Sequence, residues 1–220
     1  MTDSATAPIN TVKVSGVFRH LDATAVSSMV AAETRHKGFF TANLHDVEAA
    51  LHKLPWLYSA SIRREWPNTL HITVIEQQAV ARWRDGGLVN PLGDVFAPDE
   101  STYPTGLPVF RGPGSSGALL VTKYHEMSKQ LQGLAFRVSE LVLDDRRSWS
   151  LLLNQDVAVM IGRTDQEQRL KRLIRFYSKV ATAAPAPVEL IDLRYSNGFA
   201  VRFKPNVSDI SRETIFTLPS

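Results

Sequence analysis

Val188-Glu189-Leu190-Ile191-Asp192-Leu193-Arg194-Tyr195-Ser196-Asn197-Gly198-Phe199-Ala200-Val201-Arg202-Phe203-Lys204-Pro205 is two alternating runs around an Asn-Gly pair, a strong short-range signal for a β-hairpin. Register selects the loop, because directly opposed residues share a face and a one-residue slip turns every side chain over. A two-residue Asn-Gly loop sets Arg194 against Val201 and Asp192 against Phe203, mixing charge with hydrophobe. A three-residue loop of Ser196, Asn197 and Gly198, with Gly198 left-handed, instead sets Tyr195 against Phe199, Leu193 against Val201 and Ile191 against Phe203. It also places Asp192 across from Arg202 on the polar face. The three-residue loop is therefore expected. The strand over residues 199–203 is nearly the last patterned segment, so it is expected at a sheet edge, where unpaired backbone groups are open to a strand from another chain.

Upstream of the hairpin, Thr164-Asp165-Gln166-Glu167 reads as a capping box, with Thr164 capping a helix over residues 164–180 and Glu167 reaching back. Leu170, Leu173, Ile174, Tyr177 and Val180 form its apolar stripe, and Lys171, Arg175 and Lys179 recur on another face. Residues 137–143, 149–153 and 157–161 alternate as strands, and residues 122–134 have helical spacing. Residues 79–84, 88–89 and 95–96 are short strands between Gly- and Pro-containing turns. From Pro98 to Gly117 four prolines and four glycines predict a long connection.

The N-terminal third has a different grammar. Residues 11–18 alternate as a strand, Asp22 and Thr24 are candidate caps for a helix over 23–33, and residues 43–53 form a second helix ending before Pro55. Two strands, 56–64 and 70–75, then flank a turn at Trp66-Pro67-Asn68. The order β-α-α-β-β makes a compact unit within the size range of independent domains. Trp56, Ile62, Trp66, Ile72 and Val74 are expected in core or turn packing. The fold class is thus α+β: the β-α-α-β-β domain at 11–79, then a mixed, strand-rich β domain at 80–205 that ends in the Asn-Gly hairpin. Residues 1–10 read as a disordered lead, and residues 206–220, which show no pattern, as a disordered tail.

Composition narrows the chemistry. The 220 residues contain no cysteine, which excludes disulfides, thiolate metal sites and cysteine nucleophiles. The six histidines lack metal-ligand spacing, so no metal and no cofactor is expected. Residues 111–117 are glycine-rich but lack the lysine and hydroxyl of a phosphate loop, and there is no Gly-x-Ser-x-Gly elbow. Asp144-Asp145 reads as a turn or a solvated edge. No apolar run approaches the roughly 20 residues that span a bilayer. Net charge is +3, and an alternative reading uses Lys171, Arg172, Arg175 and Lys179 of the 164–180 helix to grip nucleic-acid phosphates.

The residues 55–76, Pro-Trp-Leu-Tyr-Ser-Ala-Ser-Ile-Arg-Arg-Glu-Trp-Pro-Asn-Thr-Leu-His-Ile-Thr-Val-Ile-Glu, followed by Ala81-Arg82-Trp83, resemble the FtsQ (DivIB) cell-division proteins. So do Arg146-Arg147-Ser148-Trp149, the helix with Lys171-Arg172-Leu173, and Asp192-Leu193-Arg194-Tyr195-Ser196-Asn197-Gly198. The resemblance spans about residues 11–205. It implies a POTRA domain and the family's β domain, both on the periplasmic side of the inner membrane at the division septum. It implies an anchoring transmembrane helix that these 220 residues do not include. It also implies a non-enzymatic scaffold that holds FtsB, and FtsL with it, and through them governs the septal peptidoglycan synthase. FtsK is a further partner implied for the POTRA domain, and no nucleic acid is implied. Carried onto matching positions, the FtsB site is Arg194, Tyr195, Ser196, Asn197 and Gly198 with the strand Phe199, Ala200, Val201, Arg202 and Phe203, extended by strand addition. Arg146 is the implied anchor for an acidic partner residue.

Overall fold

The computed structural model describes residues 8–134, 136–183, 186–205 and 213–217, the stretches 178–183 and 213–217 at the level of the backbone. They form two compact units, one of residues up to Gln78 together with Phe96–Tyr103, the other of Ala79–Val95 and everything from Pro104 onward.

The first unit contains β1 (Thr11–Ser15), α1 (Ala23–Thr34), α2 (Leu44–Leu51), β2 (Leu57–Glu65) and β3 (Thr69–Glu76). Its sheet has the order β1-β3-β2, with β1 parallel and β2 antiparallel to β3. The α1 cap is Asp22, whose carboxylate accepts from Thr24 N at 2.8 Å, and the α2 cap is Asn43, which accepts from His45 N at 3.1 Å. The apolar stripes of both helices meet Leu57, Leu70, Ile72 and Val74 from the sheet to close the core. Glu76 binds the chain back on itself: its carboxylate accepts from the backbone amides of Arg19, His20 and Leu21 at 2.8–3.2 Å. Burial raises the pKa of this carboxyl, but the three amide donors and the nearby His20 outweigh it and hold it below the usual range.

Two expectations change here. Residues 8–10 are not a disordered lead, because Pro8 bridges to Gly38, Ile9 packs on the core and Asn10 N donates to Asn68 O at 3.0 Å; residues 1–7 lie outside the described residues. Trp66 is 81% exposed instead of packed. Trp56, by contrast, is buried: it stacks on His20 at 3.8 Å, meets Phe96 edge-on at 5.2 Å and donates from Nε1 to Thr102 Oγ1 at 3.0 Å.

The second unit holds one ten-stranded sheet, built from β4 (Ala81–Trp83), β5 (Leu88–Val89), β6 (Val95–Phe96), β7 (Val109–Arg111), β8 (Val138–Leu143), β9 (Trp149–Leu153), β10 (Val157–Gly162), β11 (Val188–Asp192), β12 (Gly198–Phe203) and β13 (Glu213–Thr217). Their order is β13-β12-β11-β10-β9-β8-β7-β4-β5-β6. Helices α3 (Gly117–Leu131) and α4 (Gln166–Ala183) pack on each other, α3 over β8 and α4 over β10. The strands facing them alternate with period two: Trp149, Leu151 and Leu153 are buried while Ser150 and Leu152 are less so.

Two segments were misread as unstructured. Within the Pro98 to Gly117 connection, β7 lies between β4 and β8, parallel to both, with Phe110 fully buried. The glycine-rich run ends in close packing, since a Cβ on Gly117 would stand 2.0 Å from Gly93 O. At the C-terminus, residues 206–212 and 218–220 lie outside the described residues, but Glu213–Thr217 is a strand and not part of a disordered tail.

Candidate protein-docking site

The last hairpin keeps the predicted faces and changes its loop. Ile191 opposes Val201 and Asp192 opposes Ala200, so the hairpin slips by two residues from the expected register and five residues, 193–197, connect the strands. A two-residue slip preserves parity, which is why Ile191, Leu193, Phe199 and Val201 are all buried as expected. Gly198 is the first residue of β12 and has no left-handed backbone. Tyr195 does not pair with Phe199, and Asp192 does not face Arg202.

Interactions invisible in the strand pattern cause the wider loop. Leu193 N donates to Met160 O at 2.9 Å, continuing the pairing toward β10 beyond the last residue of β11. The Asp192 carboxylate then accepts from Arg194 N at 3.0 Å, from its Nε at 2.9 Å and from its Nη2 at 2.6 Å, turning the chain on a charge-assisted clasp. Burial raises the pKa of Asp192, but the bonds from Arg194, its charge and that of Arg169 prevail and hold the carboxyl below its ordinary range. From α4, Arg172 Nη1 donates to Tyr195 O and to Gly198 O, each at 3.0 Å, bridging the two ends of the loop tip.

The strand end beneath is shaped for these arginines. Gly162 closes β10 at a register shift opposite Trp149 with φ +91°, and a Cβ there would lie 2.5 Å from Arg169 Nη1 and 3.2 Å from Arg194 Cγ. Arg169 uses the space to donate from Nη1 to Ile161 O at 2.7 Å.

The result is a rigid base with an exposed tip. Tyr195 is 50% exposed, and Arg194, Ser196 and Asn197 are exposed beside it. Gly198, Phe199, Ala200 and Val201 are buried in β12, Phe203 is half-buried against the core, and exposed Arg202 pairs with Glu189 at 3.2 Å. Arg146 is exposed in the turn between β8 and β9, where Asp144 Oδ1 accepts from Ser148 N at 2.7 Å. Asp144 is thus a turn residue, as expected. Registers run from Asp192 through Met160 and Ser150 to Val142, so this turn and the 193–197 loop are at the same end of the sheet. Their midpoints are three strand spacings apart, about 14 Å.

The outer edge of β12 is not open. Strand β13 pairs with it antiparallel over five residues, from Gly198 opposite Thr217 to Arg202 opposite Glu213. The expectation of a free edge at 199–203 therefore fails. Its sequence signal was Thr214-Ile215-Phe216-Thr217, all strand formers, read as tail because the run is short and isolated.

Helix α4 also departs from expectation. It starts at Gln166, Asp165 has φ 54° and its carbonyl accepts from Arg169 N, and Glu167 pairs with Lys171 at 2.6 Å instead of reaching back to Thr164. Two of the four cations of the nucleic-acid reading are therefore engaged within the fold, Lys171 with Glu167 and Arg172 with the hairpin; Arg175 stands 5.8 Å over the Phe176 ring, and the Lys179 side chain is outside what is described. No group of three metal-ligating side chains occurs among the described residues.

Two family models match the chain: "Cell division protein FtsQ/DivIB, C-terminal" over residues 81–194 and "POTRA domain, FtsQ-type" over residues 7–77. The first match ends at Arg194, so Tyr195 and β12 lie beyond it. The chain is similar to the cell division protein FtsQ of Coxiella burnetii, with 34% identity over 199 residues that cover 90% of this chain and 82% of that protein. FtsQ of Escherichia coli is 30% identical over 210 residues, covering 93% and 76%. FtsQ of Aliivibrio fischeri is 29% identical over 204 residues, covering 93% and 79%.

Proposed function

This chain belongs to the FtsQ/DivIB family of cell-division proteins, and from that premise we propose that it is a non-enzymatic scaffold holding FtsB at the tip of the β11–β12 hairpin. FtsL joins through FtsB, and the pair passes occupancy of the scaffold on to the septal peptidoglycan synthase. The POTRA domain serves recruitment, with FtsK its candidate partner. The scaffold works on the periplasmic side of the inner membrane, tethered by a single membrane-spanning helix; among the described residues no helix is long and apolar enough to cross a membrane.

The observation that carries this reading is the way the fold presents Tyr195. Its carbonyl is fixed by Arg172, its neighbour Arg194 is clamped on Asp192, and its ring stays half exposed. An aromatic side chain held on a rigid base loses little freedom on binding, which suits an anchor residue. Arg146, at the same sheet end, adds a positive charge for an acidic segment; backbone pairing along residues 199–203 requires the outer edge of β12, which β13 occupies.

Titration with a peptide from the periplasmic end of FtsB tests the proposal. The folded wild type is expected to bind, and Tyr195→Ala, with unchanged circular dichroism, to bind at least tenfold more weakly. Equal affinity of the two removes Tyr195 from the site.

A further inference from the structure

We propose that β13 is a resident strand that keeps the docking edge of β12 closed until a partner segment displaces it. The inference rests on the docking reading above and adds its regulation.

The argument is one of exclusion. Each N–H and C=O on the outer edge of β12 completes one ladder, and an added strand from another chain needs the same groups that Glu213–Thr217 uses. The two occupants cannot pair with β12 together. The register also gives β13 the backbone pairing of an added strand, antiparallel and without a shift from Gly198 opposite Thr217 to Arg202 opposite Glu213.

The occupants differ in connection. β13 is joined to β12 by residues 204–212, a tether short enough to give an effective concentration in the millimolar range. A partner strand therefore meets the edge only in the fraction of molecules where β13 has left, and its apparent dissociation constant rises by the inverse of that fraction. Contacts at the hairpin tip are not blocked in this way. Tyr195, Arg194 and Arg146 lie off the β13 ladder, so a partner is able to engage the tip first and exchange strands second.

The test compares the full chain with a chain ending at Pro205, each with and without Tyr195→Ala, titrated with the FtsB peptide. The expected result is binding at least tenfold tighter in the shortened chain, with Tyr195→Ala weakening both forms. Equal affinity of the folded full and shortened chains, with Tyr195→Ala still weakening both, overturns the resident strand and leaves the docking site standing. Binding by neither folded form overturns the docking reading and the inference with it. Should the shortened chain fail to fold, amide exchange on the full chain decides: residues 213–217 are expected to lose protection on saturation with peptide while 198–203 retain it. Unchanged protection at 213–217 overturns the proposal.

Discussion

Arg172 takes a role that no spacing rule assigns to it. On the helix wheel it belongs to a basic run, yet its guanidinium joins a loop carbonyl, Tyr195 O, to the first carbonyl of β12, Gly198 O, 23 and 26 residues away in sequence. Replacing it by alanine removes both bonds, with an expected loss of about 1–3 kcal/mol in urea unfolding, and frees the 193–197 amides to exchange faster. Exchange rates equal to wild type there would refute the bridging role. Gly162→Ala meets both a left-handed backbone and the Arg169 side chain, so a loss of about 1–3 kcal/mol is expected in the same experiment. Asp192 gives the site a pH dependence. Its folded pKa lies below the ordinary value of 3.8, so its contribution is complete above that value and is lost as pH falls through the lower, folded one. The Asp192→Asn variant should be less stable at neutral pH and should show a shallower fall in acid, read from thermal melts across pH; a curve parallel to wild type would contradict the clasp.

At the scale of elements, legibility followed periodicity and the turn residues that bracket each segment. Strand 149–153 was placed residue for residue, and α1, α2 and the β2–β3 hairpin nearly so, because alternation or helical spacing continues long enough to dominate, while the two-residue strands 88–89 and 95–96 were marked by the Gly- and Pro-containing turns between them. Strands β7 and β13 had neither signal clearly enough. The three residues of β7 stand just after Pro108 and near Pro113, and its parallel partners are distant in sequence, so local signals reported a connection while tertiary pairing made a strand. Phe110 proves the point physically: fully buried in β7, it should cost about 3–5 kcal/mol when changed to alanine, whereas a connection residue would cost little. In the hairpin, the parity of the buried residues was legible from the alternation of Ile191, Leu193, Phe199 and Val201. The loop length was not, since it depends on Asp192 bonding within its own strand end and on an arginine from α4.

At the scale of the whole molecule, the boundary near residue 79 was visible as a change from long elements to short strands, but the segment Phe96–Tyr103 returns to the first unit. Its signal is a hydrogen bond from Trp56 to Thr102 and an edge contact from Phe96, neither of which has a sequence pattern. A fragment ending at residue 79 should therefore melt lower than the first unit does in the full chain, with Trp56 in a wetter environment by fluorescence; identical melting and emission would show that the segment adds nothing. That Arg146 and the 193–197 loop share one end of the sheet follows from strand registers that no local pattern displays, and the strand that covers the β12 edge was hidden in what looked like a tail. The central claim is that a partner docks at this sheet end, and the most direct measurement maps amide chemical-shift changes of the isotope-labelled chain during titration with the FtsB peptide. The prediction is a set of changes concentrated at 194–203, 213–217 and Arg146. Saturable binding with changes confined to the first unit or to α3 would contradict it.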